Sequence, residues 1–178
     1  MGDLDVPPEV VEPARKALSR YEVLDGLDRG VLPQTEDPGL VLLEGETQYW
    51  SAPGAILEER ILRREYVGGS AGVSFRVAKG VYVRTGGFKG HIESQKGIVP
   101  VSNGALVVTN HRIIFHGDNK SADVRWNRVL DFEFFADGVR FSVSNRSKPT
   151  LIRFNDHNDA EIVHGIIEQV LKRLHNPP

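Results

Sequence analysis

Apolar positions change period twice along the chain. Between Pro13 and Leu27, Ala14, Ala17, Leu18, Tyr21 and Leu24 recur at spacings of three and four, which predicts one amphipathic helix. Pro13 suits its first turn, and Gly26 lies near its end. From Leu40 the pattern shortens to strands separated by turns. Thr47–Ala52 is the first, ended by Pro53-Gly54, and Ile56–Tyr66 the second. Val73–Val77 and Val81–Arg84 follow, between glycine-rich turns. Ala105–Thr109 and Arg112–His116 read as a hairpin joined at Asn110-His111. Val124, Trp126 and Val129 lead into a strand where Leu130, Phe132 and Phe134 alternate with Asp131 and Glu133. Asp137-Gly138 is the expected two-residue turn, because both positions tolerate positive φ. Val139, Phe141 and Val143 continue the alternation, and Leu151–Phe154 is the last strand. The period then returns to helical: Val163, Ile167, Val170, Leu171 and Leu174 form one stripe over about 158–175. Asn158 and Glu161 resemble a capping box at its start.

The expected fold is therefore mainly β (α+β). About seven strands form a small antiparallel barrel or sandwich, capped by a C-terminal helix. Residues 1–39, acidic and punctuated by Pro7, Pro8, Pro13, Pro33 and Pro38, stand apart as an N-terminal helical appendage to a domain at 40–178. A lone helix of this length is marginal in water, so it must pack on the domain or on a partner.

Composition excludes more than it proposes. No cysteine occurs, which removes disulfides, thiol nucleophiles, iron–sulfur clusters and cysteine-based zinc sites. The acidic start, MGDLDVPPEVVEP, has no apolar core and is not expected to act as a secretory signal. Runs such as Leu40–Leu43 are too short to span a bilayer. A cytoplasmic protein is expected, with any membrane met peripherally, at the inner face. Net charge is only −2, but it is uneven. Residues 1–59 carry four basic and thirteen acidic side chains, and residues 60–96 carry eight and two.

The stretch Gly104–Gly117, GALVVTNHRIIFHG, resembles a motif of the pleckstrin-homology-like superfamily, with GRAM-type and bacterial PH-like domains as nearer relatives. The matching residues are Gly104, Leu106, Val108, Thr109, Asn110, Arg112, Ile114 and Phe115. The resemblance covers about Leu40–Leu174, including LDFEFFADGVRFSV and the terminal helix. It implies a non-catalytic binding module whose sheet engages peptides or helices beside the terminal helix. Two departures bear on the ligand. Phosphoinositide-binding members carry basic residues at their first hairpin, and here that place is Ala52-Pro53-Gly54-Ala55. The tryptophan of their terminal helix is absent, the two in this chain being Trp50 and Trp126.

The residues themselves offer one candidate site. Arg63, Arg64, Arg76, Lys79, Arg84 and Lys89, with Tyr82 and Phe88 interleaved, could hold a lipid headgroup or other phosphate. Each basic group would add on the order of 1 kcal/mol near an anionic surface. Against this stands a solvated strand face neutralised by Glu58, Glu59 and Glu65. Nucleic acid is a weaker reading of the same residues, given the net charge. VGGSAGVS and RTGGFKG do not match a phosphate loop. The six histidines lack metal-ligand spacing, and the serines lack a nucleophile elbow. Neither an enzyme nor a cofactor is expected. Arg112 is expected to pair with an acid or lie across apolar surface rather than meet a ligand. A protein or peptide partner is the leading expectation, and anionic lipid bound through residues 60–96 the alternative.

Overall fold

A computed structural model describes residues 8–36, 39–68 and 90–175, with side chains described for 11–36, 39–61 and 97–175. The elements run α1 (Pro8–Asp28), β1 (Gln48–Gly68), β2 (Gly90–Thr109), β3 (Arg112–Gly117), β4 (Ala122–Arg125), a 3-10 turn at Trp126–Arg128, β5 (Val129–Phe135), β6 (Gly138–Val143), β7 (Thr150–Phe154) and α2 (His157–His175). The strands form one seven-stranded sheet in the order β4-β3-β2-β1-β7-β6-β5. The fold is thus mainly β with a C-terminal helix and an N-terminal helix. Among the described residues the sheet is not closed, and β4 and β5 are its edges. The predicted strands at Val73–Val77 and Val81–Arg84 lie outside the described residues.

The chain divides into two compact units, one of residues 1–56 and 101–178, the other Leu57–Pro100. The second consists, in its described part, of the later residues of β1 and the earlier residues of β2. There Ile61 and Ile98 are exposed, and Arg60 lies 4.0 Å from Glu58.

The first unit holds the core. Leu106 and Val108 of β2, Ile113 and Phe115 of β3, Phe141 of β6 and Ile152 of β7 are buried, as their period-two placement requires. Ile162, Val163, Ile166, Ile167 and Val170 of α2 join them in one cluster. Each such side chain contributes roughly 1.5–3 kcal/mol on burial. The buried face of α2 is wider than the predicted stripe, whereas Leu174 is exposed. The reason is a second layer: α1 packs on α2. Leu27 is buried against Gly165, where an added Cβ would lie 3.0 Å from the Leu27 methyl. Gln169 donates to the Leu27 carbonyl at 3.0 Å, Arg173 donates to that of Gly30 at 2.8 Å, and Arg20 pairs with Glu161.

Several local expectations are corrected. Helix α1 begins at Pro8, so Pro13 lies inside it rather than in its first turn. It ends at Asp28, two residues beyond Gly26, and Gly30 closes it with φ 77°. The Val31 N–H bonds to the Gly26 carbonyl at 2.8 Å and the Gly30 N–H to that of Leu27 at 2.9 Å, a Schellman closure. Asp156, not Asn158, caps α2: its Oδ1 accepts the Asn158 N–H at 2.9 Å. Pro53-Gly54 does not end a strand, and β1 runs through it. Pro53 faces outward, its carbonyl accepting the Asn155 N–H at 3.0 Å. A Cβ at Gly54 would stand 2.5 Å from the Arg153 carbonyl oxygen. The glycine there serves close backbone approach, not a turn. The β5–β6 turn is Ala136-Asp137, because Gly138 already pairs with Phe135.

Candidate functional site

The hairpin of β2 and β3 pairs Gly104 with Gly117 and Val108 with Ile113. A Cβ on Gly104 would lie 2.0 Å from the His116 carbonyl oxygen, so glycine is needed for close backbone approach. Thr109, Asn110 and Arg112 at its turn are bonded within the molecule. Arg112 donates from Nε to Glu46 Oε1 at 2.8 Å and from Nη2 to Oε2 at 2.9 Å, a bidentate pair. Its third nitrogen reaches Asp123 at 2.5 Å. Glu46 is 7% exposed and also accepts the Thr109 hydroxyl at 2.7 Å and the Leu43 N–H at 2.7 Å. Burial alone would raise the Glu46 carboxyl; the bonds from Arg112, Leu43 and Thr109 outweigh it and hold the pKa at about 2. Asn110 Oδ1 accepts the Thr47 N–H at 2.8 Å, its Nδ2 donates to the Gly45 carbonyl at 3.0 Å, and the Trp126 indole donates to that of Thr109 at 3.0 Å. This network clamps the 40–47 segment to the hairpin and commits Glu46, Thr109, Asn110 and Arg112 to one another and to the backbone. Arg112 pairs with acids, as its place in the motif led one to expect.

The other end of the sheet is built differently. On β5, Phe132 and Phe134 share one face, their rings stacked at 6.0 Å, and Phe132 also meets Trp126 and Phe141. Beyond Phe132 the cover thins: Leu130 is 68% exposed, Phe134 36% and Phe135 38%. Phe134, Phe135 and Ala136 line one side of an open hollow of about 270 Å³, and Glu161 and His164 of α2 line the other. His164 is held in place. Its ring lies 4.4 Å from that of Phe134, and Nε2 is 3.0 Å from the Gly138 carbonyl oxygen. A carbonyl can only accept, so Nε2 carries the proton. Although Arg20 of α1 reaches Glu161, no α1 residue among the described ones lines the hollow.

Glu161 is the carboxylate in the lining of this hollow, and others lie on the same strand and helix. Asp131 Oδ1 accepts the Ser142 N–H at 3.2 Å across a bulge, and Glu133 lies 3.2 Å from Arg140 on the neighbouring strand. At the start of α2 the Asn158 N–H draws the Asp156 carboxyl down. Burial pushes that of Asp159 up; the Trp50 indole opposes this and the Asp156 charge adds to it. The buried Trp50 Nε1 has no bond of good geometry, so its approach to Asp159 is a weak contact.

Arg63 and Arg64 belong to β1, but their side chains lie outside the described residues, as do Arg76, Lys79, Arg84 and Lys89 entirely. The residues that sequence reasoning passed over are Glu46, Phe134, Phe135, Glu161 and His164. One signal pointed to the hollow: Phe134 and Phe135 are adjacent, and neighbours on a strand cannot both face the core. Among the described residues, no three His, Asp or Glu side chains converge to hold a metal ion, and no helix is long and apolar enough to cross a membrane. Comparison with family models, curated proteins and solved structures returned no match.

Proposed function

We propose that the protein is a non-catalytic binding module of PH/GRAM-like character. In this reading it engages a protein or peptide partner along β5 and the hollow beside α2. The observation that carries the reading is Leu130, Phe134 and Phe135 exposed on an edge strand, next to a helix face already ordered by His164. Clustered apolar exposure favours association. An antiparallel edge strand directs alternate N–H and C=O groups away from the sheet, which suits an extended segment. The resemblance carried by Gly104–Phe115 supports the same location, beside the terminal helix. The test is selection of a displayed random-peptide library against the whole protein, with Phe134→Ser/Phe135→Ser as counter-target. Peptides lost on the variant are expected; selected peptides that bind it equally well overturn the reading.

Peripheral binding to anionic lipid is the second reading, favoured by the basic excess of residues 60–96. Co-sedimentation with phosphatidylserine-containing vesicles should then weaken when Arg76, Lys79, Arg84 and Lys89 are replaced together by Ser. Unchanged binding removes that site.

A further inference from the structure

We infer that the segment received at β5 is cationic, with Lys or Arg alternating with apolar residues. The inference rests on the proposed peptide-binding role of this edge and specifies its partner's chemistry. Two elements border the hollow: β5 with its turn, residues 129–137, and the start of α2, residues 156–164. The first carries Asp131, Glu133 and Asp137, the second Asp156, Asp159 and Glu161, and neither carries a Lys or Arg. All but Asp159 are exposed. Two arginines reach in from neighbouring elements: Arg140 pairs with Glu133, and Arg20 pairs with Glu161 and also acts on the Asp156 charge. Glu161 lines the hollow itself, and Asp131, Glu133 and Asp137 stand exposed along β5 and its turn, so the edge offered to a partner is acidic. The chain spends basic residues elsewhere, at Lys172 and Arg173 in the last turn of α2 and eight times in residues 60–96.

The geometry then selects the order of side chains. A strand added to the outer side of β5 places successive residues on opposite faces. One face meets Phe134 and the hollow, and takes apolar side chains. The other follows Glu133, and takes cations. An acidic peptide of the same pattern would bring like charges together, which opposes binding. His164, committed to the Gly138 carbonyl and stacked on Phe134, contributes a flat apolar wall rather than a charge.

The test uses fluorescein-labelled ten-residue peptides and the full-length protein. One alternates Lys with Leu and Phe, the second has Glu for every Lys, and the third keeps the composition of the first with its lysines in one block. The alternating Lys peptide is expected to bind at least about tenfold more tightly than the Glu peptide, and to weaken as NaCl rises from about 50 to about 300 mM. Asp131→Asn/Glu133→Gln/Asp137→Asn, which keeps hydrogen-bonding shape, should cost about tenfold, consistent with three exposed charge pairs. Amide shifts on titration should fall in 129–137 and 156–164. Equal affinity for the Glu peptide with shifts still at β5 overturns the cationic partner but leaves the peptide-binding edge standing. Equal affinity for the blocked peptide at that place overturns the alternation. Binding of the Lys peptide with no shift at β5 or α2 overturns the proposed role of the edge itself.

Discussion

The two edges of the sheet solve the same problem in opposite ways. β4 has four residues, whose outward side chains are Asp123 and Arg125. Asp123 is tied to Arg112, and the chain then turns at once to bury Trp126. Shortness, charge and immediate departure protect an edge from pairing with other chains. β5 has seven residues and leaves Leu130, Phe134 and Phe135 partly open. At the first edge Asp123 is held by Arg112 inside the molecule, while the second leaves Leu130, Phe134 and Phe135 exposed. That difference separates a motif that builds the fold from a surface suited to a partner, although the recognisable sequence motif lies at the structural end.

This contrast can be broken by substitution. The largest effect is expected at the clamp: Arg112→Ala strands the Glu46 carboxylate in a buried place and should lower stability by about 3–5 kcal/mol in urea unfolding. A loss under about 1 kcal/mol would mean the network is not a structural element. Acid probes the same carboxylate. Its folded pKa is depressed from 4.5 to about 2, so its stabilisation is complete above pH 4.5 and is lost as pH falls towards 2. About 3 kcal/mol should disappear over that window, by the linkage of one pKa unit to about 1.4 kcal/mol. Glu46→Gln should flatten the profile there, and a variant profile parallel to that of the native chain would contradict the assignment.

A smaller effect is expected at the hairpin glycines. Gly104→Ala drives a methyl into the His116 carbonyl, at a cost of roughly 1–3 kcal/mol. A neutral result would show that β2 and β3 can part without penalty. The smallest is at the open edge. Phe135→Ser should change stability by about 1 kcal/mol or less while reducing peptide binding at least about tenfold. A severe loss of stability would make Phe135 a core residue and erase the contrast between the edges.

Much of the fold was legible because its signals are local. The alternation in 105–116 and 130–143 needs no distant partner to be read, nor does the apolar stripe of α2. Errors fell where a residue type has two uses. Pro53-Gly54 reads as a turn, yet the glycine is there because the β7 backbone passes beside it, a contact one hundred residues away in sequence. Gly138 reads as a turn residue, yet a Cβ on it would meet the Ile152 carbonyl at 2.3 Å. Asn158 looks like a cap, but Asp156 lies nearer the true start of the helix. The hollow was legible only as an anomaly, the Phe134-Phe135 pair, and its helical wall was not legible at all.

By itself the sequence determined periodicities, and hence which segments are strands and helices and which side of each is apolar, since those depend on neighbours a few residues apart. It also determined the uneven charge. The tertiary structure decided which of those faces remain uncovered. α1 settles on α2 rather than over β5 because Gly165 admits Leu27, and Arg112 turns inward because Glu46 and Asp123 converge on it. Exposure is a sum over the whole packing of the chain, and no window of residues contains it.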